Sequence, residues 1–142
     1  MSIEEFHRGI RSEIQAIVAE RILSDEGNFP SEELIYAELA MEQVANANIC
    51  DSPTICHWTG TIGNARLRIT GYALSTDETC LDLFVTRYFG TDEIENLRDS
   101  EATSTAKEGI KFLFEAAGGR LASRMEASGD IYELVLFIKE HW

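Results

Sequence analysis

Apolar residues recur every three or four positions at the two ends of this chain and at every second position in its middle. The first spacing places apolar side chains on one face of an α-helix, and the second places them on one face of a β-strand. The sequence therefore predicts an α+β fold, in which two N-terminal helices, a central antiparallel hairpin in a small sheet and two C-terminal helices follow one another. At 142 residues the chain has the length of one domain, so we expect residues 1–142 to share a single core.

The N-terminal part carries the pattern of two amphipathic helices. The first is predicted over residues 2–23, and the run 25–30, which contains Gly and Pro, ends it. The second is predicted to begin near Ser31. Residues 46–64 are rich in Asn, Thr, Gly and Cys, so we expect a long irregular connection there, with a short strand around 55–58.

The middle of the chain alternates polar with apolar residues in two segments, 66–70 and 81–86. A polar turn at 75–78 separates them, so they predict an antiparallel hairpin. Downstream, Asp92 with Glu95 three positions later has the spacing of a capping box and predicts a short helix.

Two more helices are predicted at the C-terminal end, a longer one over 103–117 and a last one from about Gly129. Gly118 and Gly119 provide the stop between them. The apolar stripe of the longer helix is predicted to be Ala106, Ile110, Leu113, Phe114 and Ala117. The predicted core places Leu67, Ile69, Leu83 and Val85 beneath helices that bear Ile10, Ile14, Ile110 and Leu113.

The charge balance is strongly acidic, with 12 Lys and Arg against 25 Asp and Glu and a formal net charge of −13. Such a charge repels phosphate backbones and anionic membrane surfaces, which disfavours direct nucleic-acid and membrane binding. The N-terminus lacks the pattern of a signal peptide, and no apolar run reaches membrane-spanning length. We therefore expect a cytoplasmic protein whose three cysteines are reduced.

Cys50, Cys56 and His57 lie close together in sequence, and thiolate with imidazole is the ligand chemistry that zinc prefers. Structural zinc sites pair cysteines two to four positions apart and need a second pair, whereas here only Cys80 remains. The spacing therefore predicts no metal site.

Charged residues at two places are candidates for function. Arg66 and Arg68 share one face of the first hairpin strand, where they form either a cross-strand ion pair with Asp82 or an anion-binding site. Glu13 and Glu20 lie on the polar face of the first helix, where glutamates are usually solvated; the alternative is that they act as catalytic carboxylates.

The two hairpin strands read ARLRITGYAL over 65–74 and LDLFVTRYFG over 81–90. Set between helices, this pattern resembles the N-terminal domain of the abortive infection phage resistance family, AIPR, and the resemblance extends from Phe6 to Ile138. It implies the N-terminal domain of a longer bacterial phage-defence protein. Its partners would be a separate protein or the remaining domains of the same chain.

The N-terminal region of that family is similar to a restriction-endonuclease-type core, in which an acidic residue on one strand and an acid-x-Lys motif on the next strand bind magnesium. The resemblance puts Thr70 at the first acid and Val85, Thr86 and Arg87 at the motif, so both acids are missing. It thus implies an accessory or recognition domain, nuclease-like but catalytically degenerate and without a cofactor.

Two alternatives stay open at this point. One is an active magnesium-dependent nuclease that uses Glu13 or Glu20 with Asp82, since clustered carboxylates hold such a cation. The other is a homo-oligomerisation module that packs its apolar helix faces against another copy.

Overall fold

A computed structural model describes residues 1–24, 31–125 and 129–142. Within these ranges it contains four α-helices and three β-strands, so the predicted α+β class is confirmed. In chain order the elements are α1 (Ile3–Leu23), α2 (Glu32–Asn46), β1 (Thr54–Ile62), β2 (Ala65–Leu74), β3 (Leu81–Phe84), α3 (Asp99–Ala117) and α4 (Asp130–His141). A short 3-10 turn, Ala122–Arg124, lies between α3 and α4.

The first two helices begin at serine caps, as their sequence predicts. The Ser2 hydroxyl accepts a hydrogen bond from the Glu5 N–H, and the Glu5 carboxylate accepts one from the Ser2 N–H. Ser31 caps α2 by accepting from the Leu34 N–H at 3.2 Å. The predicted break at 25–30 lies outside the described residues.

The sheet is an antiparallel meander in the order β1-β2-β3. The predicted hairpin of β2 and β3 is confirmed, with Tyr72 opposite Leu83 and Leu74 opposite Leu81. Strand β3 ends at Phe84, two residues before the predicted end. Central strand β2 carries the fully buried Leu67 and Ile69, which confirms both as core residues.

Strand β1 corrects the predicted irregular connection over 46–64. It is nine residues long and pairs with β2 through a turn at Gly63 and Asn64, where Gly63 has a φ of +58°. Its alternation is hidden in sequence because its outer positions are Thr and His and its inner ones include Cys and Gly. The inner Trp58 ring packs against Phe112 of α3 at a centroid distance of 5.7 Å.

The start of α3 also differs from the sequence prediction. The short helix that Asp92 and Glu95 predict is absent, and residues 92–98 are irregular. The carboxylate that reaches back to cap a helix is that of Glu101, which accepts from the Arg98 N–H at 3.3 Å. The helix therefore begins at Asp99, four residues before the predicted start.

The inward face of α3 is not the predicted stripe. Its buried residues are Thr105, Gly109, Phe112 and Ala116. Each buried residue lies one position before a residue of the predicted stripe, and one position corresponds to a rotation of roughly 100° about the helix axis. The predicted stripe is therefore turned away from the buried face of the helix. Ile110 is 49% exposed and Phe114 is 66% exposed, so the prediction that Ile110 covers the hairpin is wrong.

Gly109 explains this rotation, because it lets α3 approach the chain that follows β3. A Cβ at position 109 would lie only 2.8 Å from the Cγ2 of Val85. Turning the neighbouring Ile110 inward would bring a large side chain to this close contact.

The core residues of this region are Leu67, Ile69, Phe112, Ala116, Leu121, Leu134, Val135 and Ile138. Leu83 packs against them while staying partly exposed, and Ile14 of α1 is fully buried elsewhere.

A pair of phenylalanines on α3 tests which face is buried. Phe112→Ala is expected to lower the free energy of unfolding by about 3–5 kcal/mol, because it removes a fully buried ring and leaves a cavity. Phe114→Ala makes the same chemical change at an exposed position, where we expect less than about 1 kcal/mol. Urea denaturation followed by circular dichroism measures both changes. A larger loss for Phe114→Ala would mean that α3 buries the stripe predicted from sequence.

Candidate functional site

An apolar groove lies between α3 and the edge of the sheet. We call it the α3 groove; its cavity is about 930 Å³. Its apolar walls are formed mainly by Leu81, Leu83, Val85, Leu97, Ile110 and Leu113. Tyr36 of α2 and Trp142, which follows α4, also line it. Three parts of the fold that are distant in sequence therefore meet at this surface.

The α3 groove follows directly from the rotation of α3. Because Gly109 faces the sheet, the neighbouring Ile110 is directed to the groove. Strand β3 forms the opposite wall and is the last strand of the sheet. An edge strand presents backbone N–H and C=O groups to whatever lies beside it. The groove thus combines apolar side chains with an open strand edge.

A smaller apolar groove of about 480 Å³ separates α1 from α2. Phe6 and Ile10 of α1 face Leu39 of α2 across it, and Ile94 closes one side. The exposed Glu13 lies on its rim. This candidate carboxylate is therefore placed beside an apolar surface.

The two candidate arginines line one cavity, and its binding of an anion stays a prediction. Arg66 and Arg68 line a polar cavity of about 390 Å³ together with Arg87, which we call the arginine cavity. Tyr88 and Phe89 complete its wall, and Glu33 and Glu108 provide its acidic groups. Arg87 was not predicted as a member, because the resemblance placed it in the motif position that follows Val85 and Thr86.

Arg68 is the buried member, with 13% of its side chain exposed. Its Nη2 group donates to the Glu33 carboxylate and, at 2.8 Å, to the Thr86 carbonyl oxygen. Arg66 lies 3.8 Å from the carboxylate of Glu108. The predicted ion pair with Asp82 is wrong, because Asp82 lies opposite Ala73 in the ladder and the arginines have these other acidic partners.

The positions where the resemblance expects metal-binding acids hold a structural hydrogen bond instead. Thr70 is fully buried, and its Oγ1 accepts from the Thr86 N–H at 3.0 Å. The two threonine hydroxyls are 3.3 Å apart. This contact continues the attachment of the chain to β2 after the backbone pairing of β3 has ended at Phe84. Val85 packs at Gly109 and offers no oxygen ligand.

The remaining candidate acidic residues are exposed to solvent and are divided between a helix and a strand. Glu13 and Glu20 lie on α1, and Asp82 lies on β3. Within residues 1–24, 31–125 and 129–142, no three His, Cys, Asp or Glu side chains are grouped so that they could hold a metal ion. The fold thus gives magnesium no cluster of three such ligands in this part of the chain.

The cysteines occupy different environments. Cys50 is buried, and its burial, together with the nearby charges of Asp82 and Asp51, raises the pKa of its thiol. Cys80 is exposed and lines the α3 groove. Its thiol is therefore a natural probe of that surface.

A cluster of polar contacts around Tyr88 joins α1, α2 and the segment after β3, and no sequence pattern predicted it. The Tyr88 hydroxyl donates to the Glu32 carboxylate at 2.9 Å and accepts from Arg11 at 3.2 Å. Its ring stacks on Tyr36 with centroids 5.1 Å apart. Burial, reinforced by the hydrogen bond to Glu32, raises the pKa of Tyr88. These contacts hold Tyr36, which lines the α3 groove, against Tyr88, which lines the arginine cavity.

No helix among the described residues is both long and apolar enough to cross a membrane. Comparison with curated proteins and with solved structures gave no match. Residues 36–142, about three quarters of the chain, match the family described as the abortive infection phage resistance protein N-terminal domain. The chain therefore belongs to this family, and the resemblance carried by its hairpin is confirmed.

Proposed function

We propose that this member of the abortive infection phage resistance family is a non-catalytic recognition domain of a phage-defence protein. It docks the other domains of that protein through the α3 groove. The observation that carries this proposal is the exposed apolar face of α3, with Ile110 at its centre, beside the open edge of β3. Contiguous exposed apolar surface of this kind marks interaction sites.

The occupant follows from the family to which the chain belongs. The family is defined as an N-terminal domain, so its proteins carry further domains. Trp142 belongs to the matched region and lines the α3 groove. Domains of one chain are linked, so the other domains meet this groove at high effective concentration.

The groove favours an extended segment with apolar side chains. Strand β3 can extend its sheet by pairing with such a segment, and backbone hydrogen bonds then provide affinity. Leu83 and Val85 on one side and Ile110 on the other offer apolar contacts for alternate side chains. The strand edge and the helix face act together in this mode of recognition.

The absence of catalysis is part of the proposal. Thr70 and Val85 stand where the resemblance expects acids, and neither side chain carries the charge that offsets dehydration of magnesium. The net charge of −13 also opposes the approach of a DNA substrate. Both features support a degenerate nuclease-like domain over an active one.

An acidic substitution in the groove tests the docking. Ile110→Glu, placed in the full-length phage-defence protein that carries this domain, is expected to abolish protection against phage, because a charge would be buried in an apolar contact. Ile22→Glu is the matched control, since Ile22 is also a helical isoleucine, 44% exposed, on α1. It should leave protection unchanged. The readout is the efficiency of plating, with circular dichroism of each purified 142-residue variant to show that it folds.

Two outcomes would contradict the docking proposal. Full protection by the folded Ile110→Glu variant would show that the groove has no role. A 142-residue chain that forms a dimer by light scattering and becomes monomeric on Ile110→Glu would assign the groove to a second copy of the domain.

A cleavage assay tests the catalytic part of the proposal separately. The purified chain is expected to leave plasmid DNA intact with either magnesium or manganese, because the expected metal-binding acids are missing. Cleavage that is lost in a folded Asp82→Ala variant would replace this proposal with the nuclease alternative. Glu13→Ala and Glu20→Ala then identify the second acid.

A further inference from the structure

We propose that the arginine cavity binds the phosphate group of a small phosphorylated ligand. Three guanidinium groups, those of Arg66, Arg68 and Arg87, line one cavity in a chain that is otherwise strongly acidic. Guanidinium groups match the geometry of phosphate oxygens because they donate two parallel hydrogen bonds. The site differs in polarity from the docking surface proposed above, and the two share Arg87, which lines both.

Arg68 has one N–H donor that is left without an acceptor among the described residues. Its Nη2 group is held by Glu33 and by the Thr86 carbonyl oxygen. Its Nε–H is shielded from solvent and finds no hydrogen-bond partner among the residues that the structure describes. A buried donor without an acceptor is costly, and most such groups in proteins are paired. Because Nε is shielded as Arg68 lies in this structure, an anion in the cavity becomes its acceptor when the guanidinium turns toward the cavity.

Arg66 and Arg87 are held more loosely by their acidic neighbours. Arg66 lies 3.8 Å from Glu108, and Arg87 lies 3.7 Å from Glu101. Both separations exceed the length of a charge-assisted hydrogen bond, so neither carboxylate engages its arginine as a two-point partner. Because Arg66 is 67% exposed, its guanidinium is free to turn toward an incoming oxyanion.

The size and charge of the site select a small ligand. A cavity of about 390 Å³ is within the range of small-molecule sites, near its lower end. A long polyanion would meet the repulsion of the whole chain, which carries a net charge of −13, whereas a single phosphate group meets mainly the local arginines. The Arg87 guanidinium lies over one face of the half-exposed Phe89 ring, 5.5 Å from its centre, which leaves the opposite face as the one on which an attached base can stack.

Titration calorimetry of the 142-residue chain at constant ionic strength tests the site. The probes are inorganic phosphate, ribose 5-phosphate and adenosine 5′-monophosphate. The expected result is saturable binding of the phosphate compounds with a Kd of about 1 mM or tighter. The double variant Arg66→Gln/Arg87→Gln should weaken this binding about tenfold or more, since it removes two charged donors.

The matched control is Arg8→Gln/Arg124→Gln, which removes the same net charge at two exposed arginines outside the cavity. It should change the Kd by less than about twofold. In the unmodified chain, phosphate should also shift the NMR signal of the Arg68 Nε–H. Tighter binding of adenosine 5′-monophosphate than of ribose 5-phosphate assigns the ligand to the nucleotide class, and equal binding assigns it to phosphate esters generally.

Three results would overturn the proposal. The first is that no probe binds saturably. The second is that phosphate binding weakens equally in the control and cavity variants. The third is that the NMR signal of the Arg68 Nε–H does not move at saturating phosphate. Because the NMR measurement uses the unmodified chain, it decides the matter even if the double variant fails to fold. Tight binding of a single-stranded oligonucleotide with no binding of the small probes would likewise contradict a small-ligand site.

Discussion

The close approach of α3 to the sheet is the contact on which the rest of this structure depends. Gly109 makes it possible, since any side chain there would collide with Val85, and Phe112 then fills the space beneath Trp58. Once Phe112 is buried, the helix geometry directs Ile110 away from the core. The apolar groove is therefore a consequence of how the core is packed. The same residues that stabilise the fold create the surface that we propose for recognition.

The chain after β3 shows how side chains can replace a backbone ladder. Beyond Phe84, Thr70 holds the Thr86 N–H and Arg68 holds the Thr86 carbonyl oxygen. The place that the family resemblance reserves for metal-binding acids thus serves to anchor a loop. That anchor also positions Arg87 in the arginine cavity, so one segment connects the groove to a site of opposite polarity.

Much of the fold could be predicted from periodicity, because α1, α2 and the β2-β3 hairpin each have one clear apolar face. Strand β1 was predicted only as a short strand around 55–58, since most of its positions are Thr, Cys and Gly and resemble a loop. The face of α3 could not be chosen from sequence alone. Its apolar residues form two adjacent stripes, one through Phe112 and one through Ile110, and only the contact at Gly109 decides between them. The arginine pair was found from its strand spacing, whereas Arg87 joins it through tertiary structure.

The accessibility of Cys80 shows directly whether other domains occupy the α3 groove. This exposed thiol lines the α3 groove, while the buried Cys50 provides an internal reference for intact folding. Maleimide labelling, read residue by residue by mass spectrometry, compares the 142-residue chain alone with the longer phage-defence protein that we propose carries it. If other domains dock in the α3 groove, Cys80 is labelled rapidly in the 142-residue chain and is strongly protected in the longer protein. Equal labelling rates in the two proteins would show that the other domains do not occupy the groove.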